Sequence, residues 1–167
     1  TSSLDWTVEA GKLTSSAERF GGNATINSGA TFSFDQAADA AYAGTLSGNG
    51  SFIKSGTGKL ILSGASSTFT GPSLIEAGTL AVNGELRGSL DVGSAGRLQG
   101  NGTVGNTVIS GTVAPGNSIG TLHVVGNVTF NPGSIYEVEV NAAGQSDRIV
   151  ATGTAAIGGG SVRALAG

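Results

Sequence analysis

Residues 116–120, GNSIG, satisfy the G-x-S-x-G spacing with which a serine hydrolase raises its nucleophile on a sharp turn between a strand and a helix, so Ser118 is the first side chain to test for chemistry. Such a serine needs a histidine to take its proton and a carboxylate to orient that histidine, with the acid between the two in chain order. The one histidine, His123, alternates with Leu122 and Val124 and is expected to face solvent. Neither Asp nor Glu lies between 118 and 123, and the residues after Ser118, IGTLHVVGNV, read as strand rather than helix. Residues 113–120, VAPGNSIG, therefore read as a turn: Pro115 and Gly116 set it, Asn117 and Ser118 hold it, with Ser118 bonding backbone, and Ile119 returns the chain to the core. No catalytic residue, and no enzyme, is expected.

The remaining candidates are weaker. Glu137 and Glu139, two apart on a strand, and Asp35 and Asp39, in an Ala-rich stretch, could share a proton or a cation, but neither pair has further ligands and both read as solvated faces. GTGK at 56–59 fails as a phosphate loop because Leu60 follows the lysine. GGG at 158–160 lacks the aspartates of calcium-binding nonapeptides. Asn23, Asn49, Asn101 and Asn127 open N-x-[ST] triplets of the kind that turns generate freely. No metal and no cofactor is expected.

Composition narrows the classes further. The chain has 167 residues with 30 Gly, 3 Pro and no Cys, and only 11% of it is charged against 38% hydrophobic. Glycine without proline argues for repeated turns rather than a disordered linker, and the absence of cysteine suits a chain that must stay threadable through a translocation channel. The eight basic residues stand singly in a chain of net charge −3, which excludes a polybasic nucleic-acid surface. No apolar run approaches the ~20 residues of a membrane span. With neither an initiator Met nor a charged leader at its start, the sequence reads as an excised fragment.

The elements that must position any site are short strands. Apolar residues recur at period two over short runs closed by Gly, Asn or Ser, as in KLILSG, TLAVNG and TVISGTV. Only DQAADAAYAG, residues 35–44, leaves a turn or two of helix open beside a loop. Laying residues 84–96 over 102–114 pairs Leu86 with Val104, Leu90 with Val108 and Gly93 with Gly111 at an offset of 18. A repeat of about 20 residues with two or three strands is one coil of a parallel β-helix, which allows roughly eight coils. Near the C-terminus the strands lengthen, and Pro132-Gly133 suits a type II turn, so residues 122–130 and 135–140 read as facing strands of a β-hairpin cap. In that cap Leu122, Val124, Val128, Phe130, Pro132, Gly133, Tyr136, Val138 and Val140 form the closing core and folding nucleus, with Glu137 and Glu139 outside. The aromatic pair Phe130 and Tyr136 and the hairpin form early, and Leu122, Val124, Val108, Leu98 and Leu90 then stack coil upon coil.

Residues 48–84 carry an ordered motif: Phe52, Lys54, Gly56, Gly58, Leu60, Leu62 and Gly64, then Phe69 and Gly71, then Gly78, Thr79 and Leu80. This stretch resembles the passenger-associated transport repeat of bacterial autotransporters, and residues 111–162 resemble the junction and autochaperone region that precedes the outer-membrane barrel. The resemblance implies an all-β, right-handed parallel β-helix (solenoid), exported from a Gram-negative cell through the periplasm and displayed at the surface or secreted. It divides the chain into β-helix rungs at 1–47, passenger-associated repeat rungs at 48–84, further rungs at 85–121 and a capping or autochaperone region at 122–167. It implies that the last region folds first and templates the upstream coils. The implied partners are upstream passenger coils and an outer-membrane β-barrel of the same chain, with assembly machinery, periplasmic chaperones and a host cell surface as further candidates. The competing expectation is an adhesin or self-association module of a virulence-related surface protein.

Overall fold

The computed structural model describes residues 4–166, and among them every regular element is a strand. Consecutive strands on each face pair in parallel, and antiparallel contacts are confined to the single bridges Gly100 with Gly116 and Val140 with Ser146. The chain is a β-solenoid, as its period-two bursts and glycine corners led one to expect.

Three faces enclose the core. The first stacks Trp6–Val8, Ala24–Ile26 and Leu46–Gly48, then Ala65–Ser66, Glu85–Leu86, Thr103–Val104, Thr121–Val124 and Arg148–Ala151. The second stacks Lys12–Ser15, Thr31–Asp35, Ser51–Ser55, the first parts of Ser73–Val82 and Leu90–Gly100, then Thr107–Ile109, Val128–Phe130 and Ala155–Ile157. The third stacks Ala40–Tyr42, Lys59–Leu62, the second parts of the two long strands, then Thr112–Pro115, Ile135–Val140 and Ser161–Ala166. Residues 35–44 thus form a bend and a strand, not a helix.

Alternation in each strand sends every second side chain inward, and register stacks these into columns such as Leu60, Leu80, Leu98, Val113 and Tyr136. Leu86 pairs with Val104 as expected, but Leu90 pairs with Thr107, and Val108 lies opposite Asp91. The corner before Thr107 is one residue shorter than that before Leu90, and a one-residue slip reverses the side a residue faces. Thr107 is consequently buried and Val108 exposed, so Val108 leaves the expected core stack.

Corners explain the glycine content. Gly44, Gly64, Gly84 and Gly102 stack so that a Cβ on each would strike the carbonyl oxygen of the glycine one coil earlier, Gly22 to Gly84 in turn. Only hydrogen fits where one corner backbone lies on the next.

Two sequence expectations change at the ends. The hairpin cap is absent. Residues 131–134 do form a β-turn, with Ser134 N–H donating to Asn131 C=O at 3.1 Å and Gly133 at φ 86°. It joins two faces of one coil, however: Val128–Phe130 pairs with Thr107–Ile109 and Ala155–Ile157, and Ile135–Val140 pairs with Thr112–Pro115 and Ser161–Ala166. Tight hairpins favour turns of the mirror-image types, and each of these strands instead has parallel partners in the coils on both sides. The large aromatic cluster also lies elsewhere. Phe20, Phe32, Phe34, Tyr42 and Phe52 fill the early coils, with successive ring centroids as close as 4.6 Å, and Trp6 covers Phe20 at 5.4 Å.

Candidate functional site at the C-terminal coils

The turn that carries Ser118 follows Pro115, and Gly116 takes φ 90° as that turn requires. Both Asn117 and Ser118 are exposed, and the chain continues as the strand Thr121–Val124. Of the two side chains expected to hold the turn, Asn117 ties it down, its Nδ2 donating to Asn83 Oδ1 at 2.9 Å. His123 is exposed on its strand, between Thr103 and Val150. A strand-to-strand corner gives Ser118 neither the helix dipole nor the oriented base of a nucleophile elbow.

The remaining site residues lie on the three faces of one coil, Thr121–Val124, Val128–Phe130 and Ile135–Val140 with the turn between the last two. Leu122, Val124 and Val128 are buried, and Phe130 and Tyr136 pack half-buried against that core with their rings 6.1 Å apart. Val138 is half-buried, while Pro132, Gly133 and Val140 are exposed. The nonpolar residues are therefore brought together as successive faces of one coil, not as facing strands of a hairpin.

Two polar anchors in this coil escaped the sequence reading. Asp147 is buried: its Oδ1 accepts from Gly120 N–H at 2.8 Å and its Oδ2 from Glu139 N–H at 2.9 Å, which ties the 141–147 loop to the corner at Gly120 and to the strand Ile135–Val140 at once. Glu137 is 7% exposed, not solvated as expected, because it forms ion pairs with Arg97 and, at 3.0 Å, with Arg163. Alternation predicts correctly that Glu137 points outward; it cannot reveal that long arginines from coils on both sides close over it. Neither anchor has a local spacing signal, since Arg97 and Glu137 are 40 positions apart.

Tyr136 donates its hydroxyl to Asp147 C=O at 3.4 Å, and burial, helped by the Asp147 charge, raises its pKa. A phenol whose folded pKa exceeds its unfolded value contributes stability that is complete below about pH 10 and lost as pH rises through the folded value. Tyr136→Phe is therefore expected to lessen the loss of stability between pH 10 and higher pH in urea titrations, while the wild-type slope persists if Tyr136 titrates as in the unfolded chain.

Beyond these residues the last coil leaves its inward face uncovered. Ile157 is 80% and Val162 71% exposed, and they border a groove of about 390 Å³ floored by Val128, Phe130, Tyr136 and Ile149. The outer edges of Arg148–Ala151, Ala155–Ile157 and Ser161–Ala166 have no further strand beside them among the described residues.

Residues 52–82 match the model of the passenger-associated-transport-repeat family. The chain is 44% identical over 119 residues to an extracellular serine protease of Serratia marcescens, an alignment covering 70% of this chain and 11% of that protein. It is 36% identical over 112 residues to the adhesin BmaC autotransporter of Brucella suis biovar 1 (strain 1330), covering 66% of this chain and 3% of the relative. A second Serratia marcescens extracellular serine protease is 34% identical over 120 residues, again 11% of its length. The chain thus spans about a tenth or less of the relatives it matches. Fold and repeat define the class, a parallel β-solenoid built around a passenger-associated transport repeat. The chain is a segment of an autotransporter passenger, and its place is outside a Gram-negative cell, secreted or displayed at the surface.

Proposed function

We propose that this segment is the stem of a larger passenger and that residues 122–167 act as its autochaperone, folding early and templating the coils upstream during export. The observation that carries this reading is the unbroken parallel ladder of the second face, in which each folded coil presents a strand edge and an apolar floor to its neighbour. A coil that is already folded lowers the entropy cost of ordering the next, as in other repeat proteins. The nucleus is Leu122, Val124, Val128, Phe130, Tyr136 and Val138, held by Asp147 and Glu137. Its partners are the upstream coils and an outer-membrane β-barrel of the same chain, with assembly machinery and periplasmic chaperones acting during transit. In the full-length parent, Tyr136→Ala and Val138→Asp are expected to reduce surface display severalfold, because a cavity or a half-buried charge costs a few kcal/mol. Normal display of both variants would sink the autochaperone reading.

The named adhesin among the relatives favours a second reading, in which the exposed Ser, Thr and Asn surface contributes to host-cell adhesion or self-association in a virulence-related passenger. Binding or aggregation of cells by the isolated segment would support it. Proteolysis, the activity named for the Serratia relatives, is assigned here to no residue of this segment, and Ser118→Ala should leave any hydrolase activity of the parent unchanged.

A further inference from the structure

Lys54 is 0% exposed and lies in the inward column between Phe34 of the coil before and Ile75 of the coil after. Its ammonium donates to the carbonyls of Ser55 at 2.7 Å and Gly56 at 2.9 Å in its own coil and of Ala77 at 3.1 Å in the next. An ammonium has three N–H donors and no acceptor, so this cage uses its full capacity. Burial lowers the lysine's pKa, and the Asp35 and Asp39 charges oppose that shift.

The caged carbonyls form the corner between the second and third faces, and that corner changes its build at this coil. Up to Lys54 the strands break there: Thr31–Asp35 is separate from Ala40–Tyr42, and Ser51–Ser55 from Lys59–Leu62. In the next two coils one strand runs through, Ser73–Val82 and then Leu90–Gly100. Lys54 lies opposite Ile75 but Lys59 opposite Thr79, so four residues of one coil face three of the next. One coil earlier, the buried Gln36 staples the equivalent corner, its Oε1 accepting from Ala17 N–H at 2.9 Å and its Nε2 donating to Ala38 C=O at 2.8 Å. Lys54, unlike Gln36, joins an interrupted corner to a continuous one.

We propose that Lys54 is a register lock, a charge whose only satisfied position in the core is the one in which the interrupted corner of residues 55–58 meets the continuous corner at Ala77. Sliding the next coil by one residue removes the Ala77 carbonyl and leaves a buried ammonium short of partners, a far larger penalty than the loss of a neutral hydrogen bond. Aliphatic columns discriminate such slips weakly, because Leu, Ile and Val fill one another's places. Both halves of the lock lie within the matched repeat, residues 52–82.

The test is Lys54→Met, which keeps the stem and removes the ammonium. Residue-resolved amide exchange is expected to accelerate about a hundredfold or more at Gly58, Thr79 and Leu80 while changing less than about threefold at Ile109, Val113 and Val124. A uniform change along the chain, or none, would overturn the proposal. If the variant does not fold, the wild-type protein decides the question in sub-denaturing urea. A lock requires that acetylation of Lys54 follow the same opening as exchange at Gly58 and Thr79, with rates agreeing within about threefold. Lys54 reactivity that appears only with global unfolding, or without exchange at those amides, would overturn it.

Discussion

Phe34→Ala is expected to lower the stability of the segment by about 3–5 kcal/mol, the range for removing a fully buried phenylalanine. Phe34 is wholly buried, with Phe32 at 4.7 Å, Tyr42 at 5.0 Å, Phe20 at 5.8 Å and Phe52 at 6.2 Å between ring centroids. Its neighbours are themselves large rings, and Phe32 and Phe52 are held by strand pairing on both sides, so the void collapses little. Tyr42 is further fixed by its hydroxyl, which donates to Gly22 C=O at 2.7 Å. Urea denaturation monitored by circular dichroism measures the loss, and Phe130→Ala is the comparison. Phe130 is half-buried beside an open groove and is expected to cost less than half as much. Equal losses at the two positions would mean that the early coils do not hold the greater share of the core energy.

Gly64→Ala should be nearly as damaging, at about 3 kcal/mol, the upper end for overpacking. The new methyl would sit well inside contact distance of the Gly44 carbonyl, with the Ala43 carbonyl beside it, and both are backbone that cannot swing away. Relief requires the two coils to separate, which weakens the parallel pairing of Ala40–Tyr42 with Lys59–Leu62 and the hydrogen bond from Leu46 N–H to Ser66 Oγ. Gly21→Ala is the control, since a Cβ there meets nothing within 4 Å, and a change within about 0.5 kcal/mol is expected. Thermal melts of the two variants distinguish a corner contact from the general cost of replacing glycine. A similar loss in both would remove the ladder from the explanation.

The two variants also separate what is readable in the chain from what is not. Fold class was readable because a solenoid repeats its local rule: inward aliphatics at period two, then a Gly or Asn corner. Leu86 over Val104 follows from that rule alone. The site was less readable. Leu122, Val124 and Val128 sit inside as alternation requires, and the Pro132-Gly133 turn has the expected geometry. The partner of the following strand was misassigned, because period two looks the same in a hairpin and in a parallel coil. Strand direction is set by the partner, and the partners include Thr107–Ile109 and Thr112–Pro115, more than 20 residues away in sequence.

Alternation, glycine spacing and scarce charge therefore suffice to specify a parallel stack of short-stranded coils, since each is a local property that every coil repeats. Three further features arise only when coils meet. A corner one residue shorter buries Thr107 and exposes Val108. A change of corner gives Lys54 its carbonyl cage. Two arginines, one from each side, close over Glu137. In each case the partner lies in another coil, one or two away, whose position depends on the summed lengths of the corners between, a quantity that no local pattern encodes.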